Sequence, residues 1–501
     1  MTEDSRSMFR SRIKPLLDLF SLFAGRIGGI FVTLLFIPRY HQLLGATTFG
    51  AVSIVLSIQA FFLVSDLGLA TLISRDTAIA RNDPDALNAA VWNRRRAECI
   101  LFAIAAVIAV VATILPLVTG PLIPWSVGQG PNIAMVAFLI MALVATNIIQ
   151  LSLNALGAYT AGASTAVIGA VVRGAATVAV LATYPTLSAF LQVQLVVALV
   201  HLAGVRWYLE RLCGPTRQQE RLFERGPMFD LLRRCIPLTV YTLASAAAVN
   251  LDKTIVSAFI SLETAGSYFL ATTYSQVPVA VLSGPINSYF SPRVAHARHT
   301  ADTVDEQRVA MLFQTLIMCA VVGPSLSLAL EAPEWLKLWL HAIPAGVLAV
   351  APILLLGGAL AATGYYPTTY LIAAGDNDYL ARLSLTCGVS VLIGAVFFAT
   401  RGDLVGFAWC YFAFYAAGFG ALWGRLVMLT GWDAVARLLA RAYVLPLVVI
   451  SGSYMIAHVL TRGFPSEAAI AIPLASAAAA SLAVLAWTFL GARKAPLELS
   501  R

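Results

Sequence analysis

Apolar stretches of about 20 residues recur along the whole 501-residue chain, and short polar segments separate them. A helix rises 1.5 Å per residue, so about 20 residues cross the hydrocarbon core of a bilayer, which is roughly 30 Å thick. None of the stretches alternates apolar and polar residues as a barrel strand does, and a helix satisfies its own backbone hydrogen bonds in lipid. The sequence therefore predicts an all-α polytopic membrane protein.

The composition agrees with this class, because 59% of the residues are hydrophobic and only 12% are charged. An average soluble domain has about 25% charged residues. The apolar stretches predict fourteen transmembrane helices. Their predicted ranges are 16–38, 50–73, 97–119, 132–155, 162–184, 186–208, 236–260, 264–290, 309–331, 345–372, 379–400, 404–425, 438–460 and 467–490.

The distribution of lysine and arginine predicts the orientation. With a cytoplasmic N-terminus, 26 of the 33 basic residues fall in the tails and inner loops, and four fall outside. This bias follows the positive-inside rule. One helix more or fewer would place every later loop on the opposite side of the membrane, and the bias would be lost. We therefore expect a multi-pass protein of the cell inner (cytoplasmic) membrane with both termini in the cytoplasm. The net charge of +8 then reflects topology, and no nucleic-acid partner is expected.

The sequence lacks the features of an enzyme. The six cysteines form no CxxC pair, and no GxxxxGKS, HExxH or GxSxG motif occurs in a context that supports chemistry. A membrane glycosyltransferase would need a carboxylate site on a sizeable outer loop, whereas the outer segment 120–131 carries no charge. We expect a transporter with no catalytic residues, no cofactor and no metal site.

Similar short motifs occur twice in the chain, as in many transporters with internal repeats. Gly50 and Gly266 each open an inward-running helix and lie 216 residues apart. Gly162 and Gly375 each link the fourth to the fifth helix of a six-helix unit, at an offset of 213. Both units enter the membrane from the same side, so we expect them to superpose about an axis roughly along the membrane normal.

The repeat divides the chain into three predicted parts. The first is an N-lobe of six helices at 1–235, and the second is a pseudo-symmetric C-lobe of six helices at 236–430. The third, at 431–501, contains two additional transmembrane helices and a cytoplasmic tail.

Two segments resemble the signature regions of a known family. They read "LLGATTFGAVSIVLSIQAFFLVSDLGLATLISRD" (43–76) and "NLDKTIVSAFISLETAGSYFLATTYSQV" (250–277). They are similar to the polysaccharide transporter family, the Wzx-type flippases, within the multidrug/oligosaccharidyl-lipid/polysaccharide exporter superfamily. The resemblance implies two lobes that rock around a central cavity, and a substrate that is an oligosaccharide linked to polyprenyl pyrophosphate. It also implies a role in making a surface polysaccharide (O-antigen, exopolysaccharide or capsule), with a polymerase and assembly proteins as partners.

Five charged residues inside the predicted spans are candidates for a function: Arg26, Arg173, Asp252, Lys253 and, nearer a helix end, Asp66. A charge at the bilayer centre costs about 2.5–3.5 kcal/mol on insertion scales, so such residues usually face protein or water. Arg26 and Arg173 both lie roughly 15 Å deep. Adjacent helix positions point about 100° apart, so Asp252 and Lys253 are not expected to face each other.

These positions, combined with the resemblance, give a hypothesis for the mechanism. Arg26 and Arg173 would bind the phosphate oxygens of an anionic head group in a water-filled cavity between the lobes. Lys253 would add positive charge, while Asp252 would hold a cation or change its protonation during the cycle. Asp66 would pair with a cytoplasmic arginine or serve as a gate. Two alternative functions stay open: a flippase for the peptidoglycan precursor and a multidrug antiporter of the same superfamily.

Cysteine labelling tests the predicted topology. Arg217 lies in the basic segment 209–235, which we predict to be cytoplasmic. In a cysteine-free variant, Arg217→Cys should react with a membrane-impermeant maleimide only after the membrane is opened. Arg401→Cys, at a predicted outer position, should react in intact cells. Labelling of position 217 from outside would overturn the topology.

Overall fold

The computed structural model describes residues 3–65, 69–80, 83–119, 130–214, 226–233, 235, 246–247, 250–299, 303–461 and 466–494. Within these ranges every regular element is a helix, and no strand occurs. The prediction of an all-α protein is therefore confirmed.

Nineteen α-helices have both ends within the described part of the chain, and three of them continue into a π-helical turn; residues 226–233 are also helical. The helices are α1 (Glu3–Ser65), α2 (Leu69–Ala80), α3 (Pro84–Thr119), α4 (Gly130–Ala155), α5 (Tyr159–Leu181), α6 (Leu187–Cys213), α7 (Asp252–Phe259), α8 (Leu262–Pro278), α9 (Gly284–His299), α10 (Thr303–Ile317), α11 (Gly323–Leu330), α12 (Ala332–Leu340), α13 (Val347–Ala362), α14 (Tyr365–Ala373), α15 (Asn377–Thr400), α16 (Leu404–Thr430), α17 (Trp432–Leu439), α18 (Leu445–Leu460) and α19 (Ser466–Lys494). The π-helical turns are Val279–Ser283, Met318–Val322 and Ala440–Val444.

Helix α1 contains the first predicted span and most of the second, and Gly45 lies between them. This glycine has φ 71° and ψ 168°, outside the helical region, and so α1 is two helices joined at one residue. Residues with a side chain rarely adopt this φ, so glycine allows the chain to turn here. The break lies between the predicted ranges 16–38 and 50–73, as the sequence pattern required.

Eleven helical runs among the described residues are long and apolar enough to cross a membrane. This number differs from fourteen at three places. The first two predicted spans share the run Phe31–Leu63. The seventh, at 236–260, lies largely outside the described residues. The eighth, at 264–290, is rich in serine, threonine, tyrosine and amide side chains. The multi-pass architecture is therefore supported, and the count of fourteen stays a prediction.

The basic segment 74–98 is largely helical, although the sequence pattern placed it in a loop. Helix α3 begins at Pro84, whose missing N–H is not needed in the first helical turn. The Asp83 carboxylate accepts hydrogen bonds from the backbone N–H groups of Asp85 (3.0 Å) and Ala86 (3.3 Å). Hydropathy detects only the apolar part of a membrane-spanning helix. It therefore did not detect the polar N-terminal extension of α3.

Contacts divide the chain into two compact units, Met1–Ser257 and Ala258–Arg501. In the first unit α4 is the central helix, because it packs against α3, α6 and α2. Its residues Leu139, Val144 and Ile148 have no exposed surface. The apolar content of α4 on all sides matches this central position.

The core of the second unit contains a row of aromatic rings. Phe290 of α9 stacks on Phe313 of α10 with ring centroids 5.0 Å apart, and Tyr366 of α14 meets Phe313 edge-on at 6.0 Å. All three are nearly fully buried, so this row joins three helices. The predicted lobe boundaries at 235 and 430 stay predictions.

Helix boundaries recur in the two units at a nearly constant offset. Helices α6 and α16 both have 27 residues and begin at Leu187 and Leu404, which are 217 positions apart. Each is followed by a glycine with positive φ, Gly214 at 76° and Gly431 at 86°, which are again 217 apart. Glycine ends a helix well because it adopts this φ without a Cβ clash.

The turn before α5 recurs before α15. Gly157 and Gly375 have φ values of 82° and 79° and lie 218 residues apart. Gly162, by contrast, lies inside α5, so pairing it with Gly375 was wrong. The similar letters of "AYTAGAS" (158–164) and "LIAAGDN" (371–377) had aligned the two copies five positions out of register. The corrected offsets agree with each other and support an internal duplication, while superposition of two lobes stays a prediction.

The helix-ending glycines allow a direct test. We expect Gly431→Ala to lower the free energy of unfolding by about 1 kcal/mol, because alanine is strained at φ 86°. Gly214→Ala should have a similar effect. The control is Gly424→Ala, which lies inside α16 with open space at its Cβ and should be neutral or slightly stabilising. Thermal unfolding of the purified protein in detergent measures all three, and equal midpoints would contradict the prediction.

Candidate functional site

Arg173 lies well inside the membrane-spanning helix α5. It is 14 residues from the start at Tyr159 and eight from the end at Leu181, so it lies roughly 12 Å from the nearer end. Its side chain is half-buried. In the part of the chain that the structure describes, no carboxylate acts on the guanidinium, and its interaction partner is Tyr40. Arg173 is thus a membrane cation without a compensating anion among the described residues.

Polar side chains from three helices surround Arg173. Tyr40 of α1 is 6% exposed and interacts with Arg173 and Thr177. Gln194 of α6 donates from Nε2 to the Thr177 hydroxyl at 3.1 Å, and this hydroxyl donates to the Arg173 carbonyl at 2.7 Å. His201 of α6 is near enough to Arg173 for the two side chains to interact electrostatically. We call these five residues the α5 polar cluster.

His201 lies directly against the backbone of α5. A Cβ added at Gly169 would lie 2.3 Å from Cε1 of His201, so the glycine is needed for the ring to fit. The ring also interacts with the backbone of Thr165. Its Nε2 is buried and has no hydrogen-bond partner among the described residues. A buried polar atom without a partner is costly, so this nitrogen destabilises the packing of α6 on α5.

The α5 polar cluster has the chemistry of an anion site. A guanidinium stays protonated at any physiological pH and can donate two parallel hydrogen bonds to phosphate oxygens. Because the surroundings are partly desolvated, an attraction between Arg173 and an anion is stronger here than in water. The cluster is built entirely from α1, α5 and α6, which are all in the first unit.

Two predicted site residues cannot be placed in the same way. Asp66 lies outside the described residues, and Arg26 lies in α1 with its side chain outside the described part. Their roles, and the cavity that Arg26 would share with Arg173, stay predictions.

Asp252 and Lys253 form an ion pair, so the expectation that they do not face each other was wrong. Lys253 Nζ lies 2.9 Å from Asp252 Oδ1, which also accepts the Lys253 backbone N–H at 2.8 Å. Asp252 is the first residue of α7, where the carboxylate can fold over the helix start. The long lysine side chain then reaches back to it. Asp252 is only 3% exposed, and its charge is already offset by its neighbour.

The basic run at 93–98 belongs to a charge network that joins α3 to α6. Arg94, which is 2% exposed, pairs with Glu98 and lies 3.3 Å from Glu210. Arg206 lies 3.0 Å from Glu98 and 3.2 Å from Glu210. Arg95 also lies 3.2 Å from Glu210. These arginines therefore have carboxylate partners, in contrast to Arg173.

Sequence reasoning missed His201 and Gln194. They lie seven positions apart on α6, and Arg173 and Thr177 lie four apart on α5, so each pair occupies one face of its helix. This spacing was visible in the sequence, but only the packing of α5 against α6 shows that the two faces meet. Among the described residues, no group of histidine, cysteine and acidic side chains could hold a metal ion.

A family model described as "Polysaccharide biosynthesis protein" matches residues 16–297, which is more than half of the chain. The match includes both signature-like segments and the whole α5 polar cluster. No curated protein sequence matches the chain significantly.

Several solved transporter structures are similar to this fold. The lipid II flippase MurJ in an inward closed conformation aligns with a TM-score of 0.67 and 12% identity, over 96% of this chain and 100% of the MurJ chain. The eukaryotic MATE transporter AtDTX14 aligns with a TM-score of 0.58 and 13% identity, over 87% of this chain and 99% of its own. A MOP superfamily transporter from Pyrococcus furiosus has a TM-score of 0.54 and 14% identity, with coverages of 84% and 96%. These likenesses show a shared fold.

The Asp252–Lys253 pair predicts an asymmetry between single and double substitutions. Asp252→Asn should leave a half-buried ammonium without its partner and destabilise the protein by about 3 kcal/mol or more. The double variant Asp252→Asn/Lys253→Met removes both charges and should recover most of this loss. Lys337→Met, at an exposed lysine, is the control and should change the stability by less than about 0.5 kcal/mol. Thermal unfolding in detergent tests this, and a double variant no better than the single one would refute it.

Proposed function

Because the chain belongs to the polysaccharide biosynthesis protein family, we propose that it is a flippase for oligosaccharides linked to polyprenyl pyrophosphate. It would carry this lipid across the cytoplasmic membrane during synthesis of a surface polysaccharide such as O-antigen, exopolysaccharide or capsule. The observation that carries the proposal is Arg173, a guanidinium inside a membrane helix with no carboxylate partner among the described residues.

The main free-energy barrier to this transport is the passage of the charged head group through the bilayer core. A pyrophosphate diester carries two negative charges, and a charge is costly at the centre of a bilayer. Arg173 lowers this cost by donating charge-assisted hydrogen bonds to phosphate oxygens. The polyprenyl tail stays in the lipid throughout. Alternating access by two lobes would then expose the site first to the cytoplasm and later to the outside.

The internal repeat supports a functional role for the cluster over a structural one. With the offset of 218 found at the start of α5 and α15, the counterpart of Arg173 is Val391, which is 2% exposed. With the offset of 217 between α6 and α16, the counterpart of His201 is Gly418. The helix ends are kept in both copies, whereas the charged side chains are not. The fold can therefore be built without them.

The remaining predicted roles belong to the same proposal. Arg26 would be a second phosphate ligand, and Lys253 would add positive charge near the head group, with Asp252 as its structural or titrating partner. Asp66 would act near the cytoplasmic end of the first unit. The polymerase and assembly proteins of the pathway would receive the exported lipid, and both termini would lie in the cytoplasm.

A peptidoglycan-precursor flippase is the second candidate function. The lipid II flippase MurJ matches this fold over 96% of the chain, more than either of the two MATE-like structures described above. Lipid II also has a pyrophosphate head group, so the α5 polar cluster suits it equally. A multidrug antiporter fits less well, because Arg173 would repel an organic cation.

Substitution of Arg173 tests the proposed function. In a strain lacking the flippase of the same pathway, Arg173→Ala should abolish surface polysaccharide at matched expression, because the phosphate loses its ligand. Arg173→Lys should keep part of the activity, since it retains the charge but loses the two parallel hydrogen bonds. The readout is the amount of polymer on the cell surface.

The matched control is Arg39→Ala, an exposed arginine of α1 whose side chain donates a hydrogen bond to Gln42 at 3.0 Å. It should export normally. If Arg173→Ala also exports normally, the anion-site model is wrong. Transport in proteoliposomes separates the candidate functions: a polyprenyl-pyrophosphate oligosaccharide should cross, whereas preferential transport of lipid II would favour the second candidate.

A further inference from the structure

One face of α3 carries an apolar groove, which we call the α3 groove. Residues of α3 line most of it, and Met228 of the helical segment 226–233 lines the rest. Its volume is about 440 Å³, and it is open to the outside of the protein. Val107 in the groove is 62% exposed, so a molecule in the membrane can reach it. The lining residues of α3 are Cys99, Ile100, Ala103, Ile104, Val107 and Ile108.

The α3 groove has the length of a lipid chain in one leaflet. Its lining positions recur every four residues along α3, so they form one face of the helix. From Cys99 to Ile108 this face rises roughly 13 Å, which is close to half of the hydrocarbon core, about 15 Å. Ala103 lies midway and has the smallest side chain of the set, so the space is deepest where a chain would cross it.

A charged side chain lies at the Cys99 end of the groove. Cys99 follows Glu98 directly and is near enough to Arg206 of α6 for the two to interact electrostatically. The Arg206 side chain is 44% exposed. Its Nη1 and Nε lie 3.0 Å from Glu98 and 3.2 Å from Glu210. Its Nη2 has no partner among the described residues, and so one nitrogen of the guanidinium can donate to a ligand.

This end of the groove has a surplus of positive charge. Within two turns of Cys99 on α3, and in the last two turns of α6, five arginines stand against two carboxylates. Helix α4 has no charged residue, α2 has one arginine and one aspartate, and segment 226–233 has one of each as well. The seven charged residues are Arg94, Arg95, Arg96, Glu98, Arg206, Glu210 and Arg211.

We propose that the α3 groove binds an anionic phospholipid of the leaflet that we predict to be cytoplasmic. One acyl chain lies along the apolar groove, and the phosphate at its end accepts a charge-assisted hydrogen bond from Nη2 of Arg206. The surplus positive charge favours a head group with a net negative charge over a zwitterionic one. Phe229 and Leu232 are 66% and 39% exposed, so segment 226–233 presents further apolar surface, as helices at a membrane interface do.

The surroundings of the groove favour a phospholipid over the tail of a transported lipid. Helix α3 packs against α4 and α2, whereas the α5 polar cluster is built from α1, α5 and α6. The lipid in the α3 groove is therefore not the one whose head group we assign to Arg173. The inference does not depend on the proposed function.

Native mass spectrometry of the purified full-length protein tests the head-group preference. The lipids are phosphatidylglycerol and phosphatidylcholine with identical acyl chains, which differ in net charge. Phosphatidylglycerol should bind about five- to tenfold more tightly, as expected for one phosphate beside a surplus arginine. Arg206→Gln should reduce this preference to less than about twofold, whereas Arg206→Lys should keep most of it because it retains the charge.

A second variant tests the groove without changing any charge. Ala103→Trp fills the space midway along the groove and should weaken phosphatidylglycerol binding roughly tenfold or more. The matched control is Ala106→Trp, which is also exposed on α3 but does not line the groove. It should bind phosphatidylglycerol as the unchanged protein does. This comparison decides the matter even if Arg206→Gln fails to fold.

Three outcomes would overturn the inference. The first is equal affinity of the unchanged protein for the two phospholipids, and the second is equal binding by the Ala103→Trp and Ala106→Trp variants. The third comes from a further arm with undecaprenyl phosphate. If this carrier lipid binds more tightly than phosphatidylglycerol and Ala103→Trp removes its binding, the groove holds a polyprenyl chain. No oligosaccharide lipid is present in these measurements, so none of these outcomes bears on export through Arg173.

Discussion

The bilayer core contains almost no water, so every polar group inside it must find its partner within the protein or its ligand. This constraint explains why the described chain is helical throughout, because helices satisfy their own backbone. It also organises the charges. Arg94 is buried against Glu98, and Lys253 is paired with Asp252. Arg173 has no carboxylate partner among the described residues, and it is the cation to which the proposed function assigns the ligand.

The sequence predicted the helices well, because the length and hydrophobicity of a span are local properties. It did not predict the polar start of α3, since the Asp83 cap and Pro84 lie in a charged segment that hydropathy reads as a loop. The repeat was detected but placed five residues out of register, because Gly162 and Gly157 are both in plausible sequence contexts. Only the backbone angle of Gly157 identifies it as the helix-ending residue.

The candidate site was predictable in part. Arg173 was identified by the cost of inserting its charge, which depends only on its position in a span. His201 was not identified, because one histidine in an apolar helix gives no signal of its contacts. Its proximity to Arg173 depends on Gly169, which lets α6 bring the ring onto the backbone of α5. The expectation that Asp252 and Lys253 do not face each other was wrong. It assumed the angle of about 100° between adjacent positions of a regular helix, whereas Asp252 is the first residue of α7.

The similar structures include a lipid II flippase and MATE transporters, at identities of only 12–14%. A fold that serves such different substrates cannot by itself determine what is carried. In this chain the features repeated in both units are helix ends, such as Gly214 and Gly431, which fix the backbone. The features found in one copy are side chains, because Val391 and Gly418 occupy the sequence positions that correspond to Arg173 and His201. Under the proposed function, substrate chemistry would be set by a few membrane-embedded side chains of the first unit, on a backbone whose helix ends recur in both units.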